Sequence, residues 1–454
     1  MSTTDTIAAI ATPPGQGGVG IVRVSGSKVW KIADAIFQSS ERPSQAKGGT
    51  FLHGKVVDVC GAEIDEALCL IFRAPKSYTG EDTIEIQGHG GPVVLKKILR
   101  RCLEVGARMA EPGEFTKRAF LNGKMDLVQA EAVADLIHAQ SDRAAQAALE
   151  QLEGGLSKKF NALYDGLMET AADIETTLDF VEDELPGDVF PNLGKKLDES
   201  FQSLETLLAT WDEGRLLREG ARVVVMGRPN AGKSTLFNAL LGHDRAIVTE
   251  LPGTTRDVLE ETLVLDGIPL RILDTAGLRE TECLIEQEGI RRARAHSAAA
   301  DIAVYLIDSS MPFSDEDGEH LAKLNPTRTV VVLNKTDKRI AECRVPSADW
   351  VTVETSLING AGISAVKAAV SEKLGGVSHT PAHAVISERH RDLLETARFE
   401  LEQARERLAA GGELGAAPAA EHLRAALEAL GQVTGRVYHN ELLDNIFSRF
   451  CIGK

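Results

Sequence analysis

Long apolar runs are missing from this 454-residue chain. No stretch reaches the eighteen or so apolar residues that a membrane-spanning helix needs, so no membrane association is expected. The start, Met1-Ser2-Thr3-Thr4-Asp5, lacks a basic segment followed by an apolar one, and it lacks an arginine-rich stretch. Neither a secretory signal nor a transit segment is expected. Cysteine is sparse. Cys60, Cys69, Cys102, Cys283, Cys343 and Cys451 lie far apart with no C-x-x-C pair. That argues against a zinc site and against a disulfide framework, and it fits reduced thiols in a cytoplasmic protein. Basic residues are outnumbered, 50 to 67, for a net charge of −17. Non-specific nucleic-acid binding rests on Lys and Arg contacts with phosphates, so it is not expected of the chain as a whole. The first 121 residues are close to charge balance, and the acid excess lies downstream. A nucleic-acid partner would need a local patch or another subunit. No internal repeat is present. Hydrophobic content of 43% and charged content of 26% are those of a globular protein with a real core.

What is present is a set of short segments with phosphate and base chemistry. Gly227-Arg228-Pro229-Asn230-Ala231-Gly232-Lys233-Ser234 fits G-x-x-x-x-G-K-[ST], between an apolar run, Val223 to Met226, and a leucine-rich stretch. Strand before and helix after is the context that gives this motif meaning. Backbone N–H groups from Asn230 through Thr235 would cradle phosphates, Lys233 adds a point charge, and Ser234 offers a hydroxyl to Mg²⁺. Asp274-Thr275-Ala276-Gly277 closes a second apolar run, where a carboxylate can serve the Mg²⁺ shell and a glycine N–H can face the γ-phosphate. Asp266-Gly267 just upstream predicts a hairpin turn. Asn334-Lys335-Thr336-Asp337 follows a third apolar run. A carboxylate there accepts two N–H bonds from guanine, a pair adenine does not offer, so the segment selects GTP over ATP. Ser356-Leu357 stands where a base-backing loop belongs, with leucine where many such domains have alanine. Gly253-Thr254-Thr255-Arg256-Asp257 lies between the first two segments, and one of its threonines, Thr254 or Thr255, is the natural second Mg²⁺ hydroxyl. Leu278 occupies the place where Ras-like enzymes keep a water-orienting glutamine. By spacing alone, Glu280, Glu282, Glu286 and Glu288 read as a solvated face.

The texture of the chain changes along its length. Residues 1 to about 118 alternate short β-like runs with glycine and proline turns and predict one helix over Val93 to Val105, an α+β domain. From Asp126 the pattern is helical. Asp126 with Gln129 marks a helix start, and Leu127, Ala130, Ala134 and Ile137 share a face. An α/β region from Ala221 to about Leu374 alternates strands and amphipathic helices, as a doubly wound sheet requires. Helical texture then returns from Ser387, with Gly411 to Ala419 expected as a short loop. The α/β region is thus inserted into a helical domain built from two segments, with glycine-containing edges at Glu219-Gly220 and Gly375-Gly376.

Two other motifs fail their context. Gly15-Gln16-Gly17-Gly18-Val19-Gly20 matches G-x-G-x-x-G, yet prolines precede it and a β-like run follows it, so no dinucleotide site is expected. His89-Gly90-Gly91 has no G-x-S-x-G to serve and is read as a turn. The ending Cys451-Ile452-Gly453-Lys454 is a poor prenylation signal, and Cys451 is expected as a buried structural thiol.

Several runs together resemble the MnmE (TrmE) family of tRNA modification GTPases across essentially the whole chain. They are Ala11-Thr12-Pro13-Pro14-Gly15, Gly18-Val19-Gly20-Ile21-Val22-Arg23, Tyr78-Thr79-Gly80-Glu81-Asp82, Gly88-His89-Gly90-Gly91-Pro92, the long run Pro112 to Lys124, and Phe450-Cys451-Ile452-Gly453-Lys454. The resemblance implies a multidomain fold: an α+β N-terminal folate-binding and dimerisation domain (1–118), a discontinuous all-α helical domain (119–216 and 379–454), and an inserted α/β Ras-like P-loop G domain (217–378). It implies a homodimer acting with an FAD-containing protein, MnmG (GidA), so that FAD belongs to the partner. Together they would add an aminomethyl-type group at carbon 5 of the wobble uridine of tRNA, the carbon coming from a tetrahydrofolate derivative. By the same resemblance Arg23, Glu81, Lys124 and Lys454 contact the folate. Asn230 and the loop Thr249-Glu250-Leu251-Pro252-Gly253-Thr254 match K⁺ ligands, with Asn230, Thr249, Leu251 and Thr254 as the coordinating residues. K⁺ there would do the work of an arginine finger. Glu286 matches the glutamate that orients the attacking water, and Cys451 matches a candidate for the modification chemistry. The competing expectation is a ribosome-assembly or signalling GTPase switch without modification activity. The KH module or second G domain of Era-like and EngA-like proteins has no counterpart in the sequence.

Overall fold

The structure is a computed structural model that describes residues 5–178, 188–242, 261–273, 300–340, 343, 345, 349–375, 386–411 and 413–454. The chain divides into two compact units. One comprises residues 1–134, 151–205 and 392–454, the other residues 135–150 and 206–391, so in chain order the second interrupts the first.

The first unit begins with a sheet whose described strands are β1 (Thr6–Ile10), β2 (Gly17–Gly26), β3 (Phe37–Ser39), β4 (Thr50–Val57), β5 (Glu63–Phe72), β6 (Thr83–Gly90) and β7 (Arg108–Met109). Their order is β3-β4-β5-β6-β2-β1-β7. All pairs are antiparallel except β1 with β7. The helices Val29–Ile36 and Pro92–Val105 bury Ile32, Ile36, Ile98 and Leu99 against Val22, Val24, Cys69, Ile71, Ile84 and Ile86 of the sheet. The alternation in the sequence is that of strands with one face in such a core. Two helices beyond the expected one are present, Val29–Ile36 and Glu114–Leu121. Each is only eight residues long, too short for a helical period to stand out in the sequence. The segment Gly17–Gly20 is strand with a register shift, not the start of a dinucleotide fold. His89 and Gly90 complete β6 and Gly91 caps the next helix, so the expected turn is instead a strand-to-helix junction.

The helical part follows. Asp126 and Gln129 exchange bonds, Asp126 N–H to Gln129 Oε1 at 3.0 Å and Gln129 N–H to Asp126 Oδ1 at 2.9 Å, a reciprocal capping box. Of the face expected on the helix Leu127–His138, Leu127 and Ala130 are buried, but Ile137 is 45% exposed. The helix Gly155–Leu178 buries Leu156, Phe160, Leu163, Leu167 and Ile174. It packs along the helix Glu413–Thr434, which buries Leu423, Leu427, Leu430 and Val433. Burying each Leu or Phe contributes roughly 1.5–3 kcal/mol, so these two segments, over two hundred positions apart, form one core. The expected loop at Gly411–Ala419 is almost entirely helix. Its glycine serves close packing: a Cβ on Gly415 would lie 2.0 Å from the Arg407 carbonyl oxygen.

The second unit holds a sheet ordered β13-β12-β11-β8-β10-β9. Its strands are β8 (Ala221–Gly227), β9 (Glu261–Leu265), β10 (Ile268–Leu273), β11 (Ile302–Asp308), β12 (Thr329–Asn334) and β13 (Val351–Glu354). Every pair is parallel except the edge hairpin β9–β10. Asp266 and Gly267 at its turn have φ of 50° and 80°, the backbone that an Asp-Gly type I′ turn demands. Val223, Val225, Val304, Leu306, Val330 and Val332 are buried, as near-continuous apolar strands in a covered parallel sheet must be. The fold is therefore multidomain, with an α+β N-terminal part, a discontinuous helical domain and an inserted P-loop α/β domain. No described helix is long and apolar enough to cross a membrane.

Candidate functional site

In an open parallel sheet the strand C-terminal ends form the ligand crevice. Here three motifs converge on those ends. β8 runs into the loop 227–232 and the helix Lys233–Leu241. Gly227 has φ of 136° and a Cβ there would sit 2.3 Å from the Leu306 carbonyl oxygen, so only glycine fits. Asn230 turns the loop at φ 65°. Lys233 folds back over it, its Nζ donating to the carbonyls of Gly227 and Arg228 at 2.9 Å each. Ser234 and Thr235 are exposed in the first helical turn.

Asn334, at the end of β12 and buried, ties the motifs together. Its Nδ2 donates to the Ala231 carbonyl at 2.8 Å, and its Oδ1 accepts from Leu357 N–H at 3.2 Å and Thr355 Oγ1 at 3.3 Å. Gly232 passes so close that a Cβ would be 2.3 Å from Asn334 Nδ2. Thr336 is held by Thr355, both its N–H and Oγ1 donating to that residue's carbonyl. Asp337 is exposed and accepts from Ser356 Oγ at 2.7 Å. Leu357 is buried in the sheet's core beside Gly232, which gives the departure from alanine a packing role. Lys335, at φ 63°, pairs with Asp308 at 2.6 Å. Burial acts upward on the Asp308 carboxyl, but Lys335 and Ser310 together hold it below the ordinary aspartate value. Asp308 was not singled out from the sequence, although an acid ending a parallel strand next to a ligand crevice is a readable signal. The remaining nucleotide and metal expectations, Thr249, Glu250, Leu251, Pro252, Gly253, Thr254, Thr255, Asp274, Thr275, Ala276, Gly277 and Glu286, lie outside the described residues.

A second cluster forms in the first unit. Arg23 on β2 pairs with Glu85 on β6 at 2.8 Å and points its guanidinium over the rings of Tyr78 and Phe115, 5.3 and 5.4 Å from their centroids. The C-terminal tail docks beside it. The Gly453 carbonyl accepts from Arg23 at 3.4 Å, and the Lys454 carbonyl accepts from Phe115 N–H at 3.2 Å. Gly453 has φ of 98°, and a Cβ there would meet the Ile10 carbonyl oxygen at 2.4 Å. Burial, and then repulsion from Arg23, hold the Lys454 ammonium below the usual lysine value, with Glu85 opposing them. Glu81 is engaged from behind, accepting from Ser25 Oγ at 2.8 Å and Arg118 at 3.2 Å. Lys124 is exposed and donates to the Pro75 carbonyl at 3.1 Å, its stem passing Gly80. The segment from Tyr78 to Glu81 thus touches the surroundings of Arg23, Glu81 and Lys124, and the tail brings Lys454 to Arg23. Glu85, Tyr78 and Arg118 were not anticipated, since only the register of β2 against β6 and the fold of Glu114–Leu121 bring them here.

Cys451 is exposed, contrary to the expected buried thiol, because the tail lies along the surface with its backbone as the anchor. Cys69, Cys102 and Cys343 are the buried thiols among the described residues, and burial pushes Cys69 and Cys102 up to about 12, which leaves them unreactive packing groups. No cluster of three metal-ligating His, Cys, Asp or Glu side chains occurs among the described residues.

Comparison with known proteins places the chain as a whole. Residues 6–124 match the family model described as the GTP-binding protein TrmE N-terminus, and residues 127–451 match the MnmE helical domain. The chain is 44% identical over 460 residues to the tRNA modification GTPase MnmE of Geotalea uraniireducens, covering 100% of both. It is 44% identical over 456 residues to the protein of that name in Geobacter metallireducens and 46% identical over 455 residues to that in Laribacter hongkongensis, covering 99% of each chain in both cases. With both family models matched and full-length identity at this level, the chain belongs to the MnmE (TrmE) family of tRNA modification GTPases.

Proposed function

We propose that this chain is the K⁺-dependent, GTP-hydrolysing subunit of a complex that adds an aminomethyl-type group, carboxymethylaminomethyl or aminomethyl, at C5 of the tRNA wobble uridine, using the one-carbon unit of a tetrahydrofolate derivative. The observation that carries the folate part is the meeting of two cations, Arg23, which pairs with Glu85, and the half-buried Lys454. Two cationic side chains that converge can hold an anion, as the glutamate tail of a folate is, while Tyr78 and Phe115 offer flat apolar surface beside them. Glu81 would accept N–H bonds from the pterin, and Lys124 would add a further cation. When bound, the folate supplies the carbon. The protein residues bind and orient it.

At the nucleotide crevice, Ser234 and Thr255 would hold Mg²⁺, and Asn230, Thr249, Leu251 and Thr254 would hold K⁺, supplying charge neutralisation between the phosphates. Glu286 would orient the attacking water in place of the glutamine that Leu278 cannot provide. The chain would act as a homodimer with an FAD-containing MnmG partner, and tRNA would be the substrate. Nucleoside mass spectrometry on tRNA from cells lacking the chain, with and without its restoration, tests the reading. A wobble-uridine modification that disappears and returns supports it. An unchanged wobble uridine would overturn it in favour of a ribosome-assembly or signalling switch. GTP turnover should rise sharply in KCl over NaCl and lose that difference in Asn230→Ala, whereas equal rates in both salts would remove the cation mechanism.

A further inference from the structure

The helix Pro92–Val105 buries Leu95, Ile98, Leu99 and Cys102 against the N-terminal sheet. Its outer face carries Lys96, Lys97 and Arg100, all exposed. None of the three has an ion-pair partner among the described residues, and Glu104 is engaged by Arg101 at 3.3 Å. The helix Val29–Ile36, packed against it, adds exposed Lys28 and Lys31 at its start. Some exposed cations elsewhere face carboxylates, such as Lys55 with Glu63, Lys196 with Asp173, Arg424 with Glu175 and Arg436 with Asp165. Others, such as Lys158, Lys323, Lys338 and Arg407, are exposed without one among the described residues but are not gathered three within five residues as here. Lys96 and Arg100 stand four residues apart on one helix face, where like charges destabilise the helix. So the chain keeps an uncompensated basic face although acids outnumber bases and the net charge is −17.

We infer that this two-helix face is the surface on which the chain receives the phosphate backbone of tRNA, an inference that rests on the proposed tRNA function. A chain with a large negative charge repels a polyanion at long range, so contact must be made through a local patch of opposite sign. Lys96, Lys97 and Arg100 span about 6 Å of helix axis, over which a nucleic-acid strand presents roughly two phosphates. The face is free of groups assigned to GTP or folate, so it holds the backbone and leaves base and chemistry to other surfaces.

The test is fluorescence anisotropy of fluorescein-labelled deacylated tRNA with the full chain across a KCl series. The patch variant is Lys96→Glu, Lys97→Glu, Arg100→Glu. The control is Lys158→Glu, Lys195→Glu, Lys323→Glu, which changes the charge equally at exposed sites elsewhere. A glutamine triple at the patch removes charge with the least risk to folding, and unchanged GTP hydrolysis reports intact variants. Loss of roughly two phosphate contacts should weaken binding about a hundredfold at 0.1 M salt and flatten the log K against log salt slope by roughly two, with the control close to wild type. Equal affinity in patch and control variants overturns the inference, as does failure of the wild-type chain to bind tRNA at low salt. Loss of wobble-uridine modification in cells lacking the chain, combined with unaltered tRNA affinity of the patch variant, would mean a misplaced surface on a correctly read function. An unchanged wobble uridine together with no tRNA binding removes both.

Discussion

Asn334→Ala should disable the guanine-nucleotide crevice without touching a phosphate-binding group. The side chain makes three bonds, to the Ala231 carbonyl, the Leu357 N–H and the Thr355 hydroxyl. Each contributes about 1 kcal/mol net, and a buried N–H left without an acceptor, as at Leu357, costs about 1–3 kcal/mol. Two bonds at about 1 kcal/mol and the Leu357 N–H at about 1–3 kcal/mol total roughly 3–5 kcal/mol, most of it holding three loops in the arrangement that receives nucleotide. At 1.4 kcal/mol per tenfold, that corresponds to a loss of affinity of about a hundredfold or more. The assay is displacement of a fluorescent GDP analogue by GTP and GDP, alongside a thermal melt to show that the domain remains folded. Thr355→Ala removes only the longest of the three bonds and should lose less than tenfold. If Asn334→Ala binds GTP as tightly as the wild type while folded, the three bonds do not organise the crevice and the reasoning fails.

Further outcomes follow from the buried charges and the tight contacts. Arg118 is held among Asp5, Glu81 and Glu114. Arg118→Met should lower the urea stability of the N-terminal unit, read by Trp30 fluorescence, toward the lower end of the ~3–5 kcal/mol for a broken buried pair, since Arg108 still holds Glu114. Burial acts upward on Asp5 and Glu114, but their hydrogen bonds to Arg108 and Arg118 win and both carboxyls lie below their ordinary values of 3.8 and 4.5. Depressed carboxyls stabilise the fold fully above those ordinary values and lose that contribution as pH falls through the lowered ones. Acid unfolding of the wild-type unit should therefore begin below pH 4, and in Arg118→Met at higher pH; coincident acid transitions would refute the linkage. Because the Lys454 ammonium is held below 10.5 by burial and by Arg23, affinity for a reduced folate should fall as pH rises before the ordinary lysine range. Arg23→Ala should weaken binding and move that fall upward, and a pH-independent affinity up to 10.5 would place the anion elsewhere. Gly415→Val cannot be accommodated 2.0 Å from the Arg407 carbonyl oxygen, and should destabilise the helical unit in a melt; a wild-type melting temperature would show that the helices separate freely.

The sequence by itself determined the nucleotide motifs, the order of strands and helices around them, and the Asp126–Gln129 helix start. These are local: a phosphate loop, an Asp-Gly turn or a capping box is specified by residues a few positions apart, and the same short range fixes its chemistry. The insertion of one domain into another was also legible, as a change from helical to α/β texture and back. The tertiary structure alone decided which distant groups meet. Glu85 reaches Arg23 through the β2–β6 register, and Lys454 reaches it because the tail's backbone bonds to Phe115 and Arg23 across more than three hundred positions. The same long-range packing turned the glycine-rich Gly411–Ala419 segment into helix, exposed Cys451, and buried Leu357 in the place of alanine. Glycine weakens a helix by local propensity, but at Gly415 the absence of a side chain is what lets two helices approach. A single sequence shows the local cost. Only the folded chain shows the contact that offsets it.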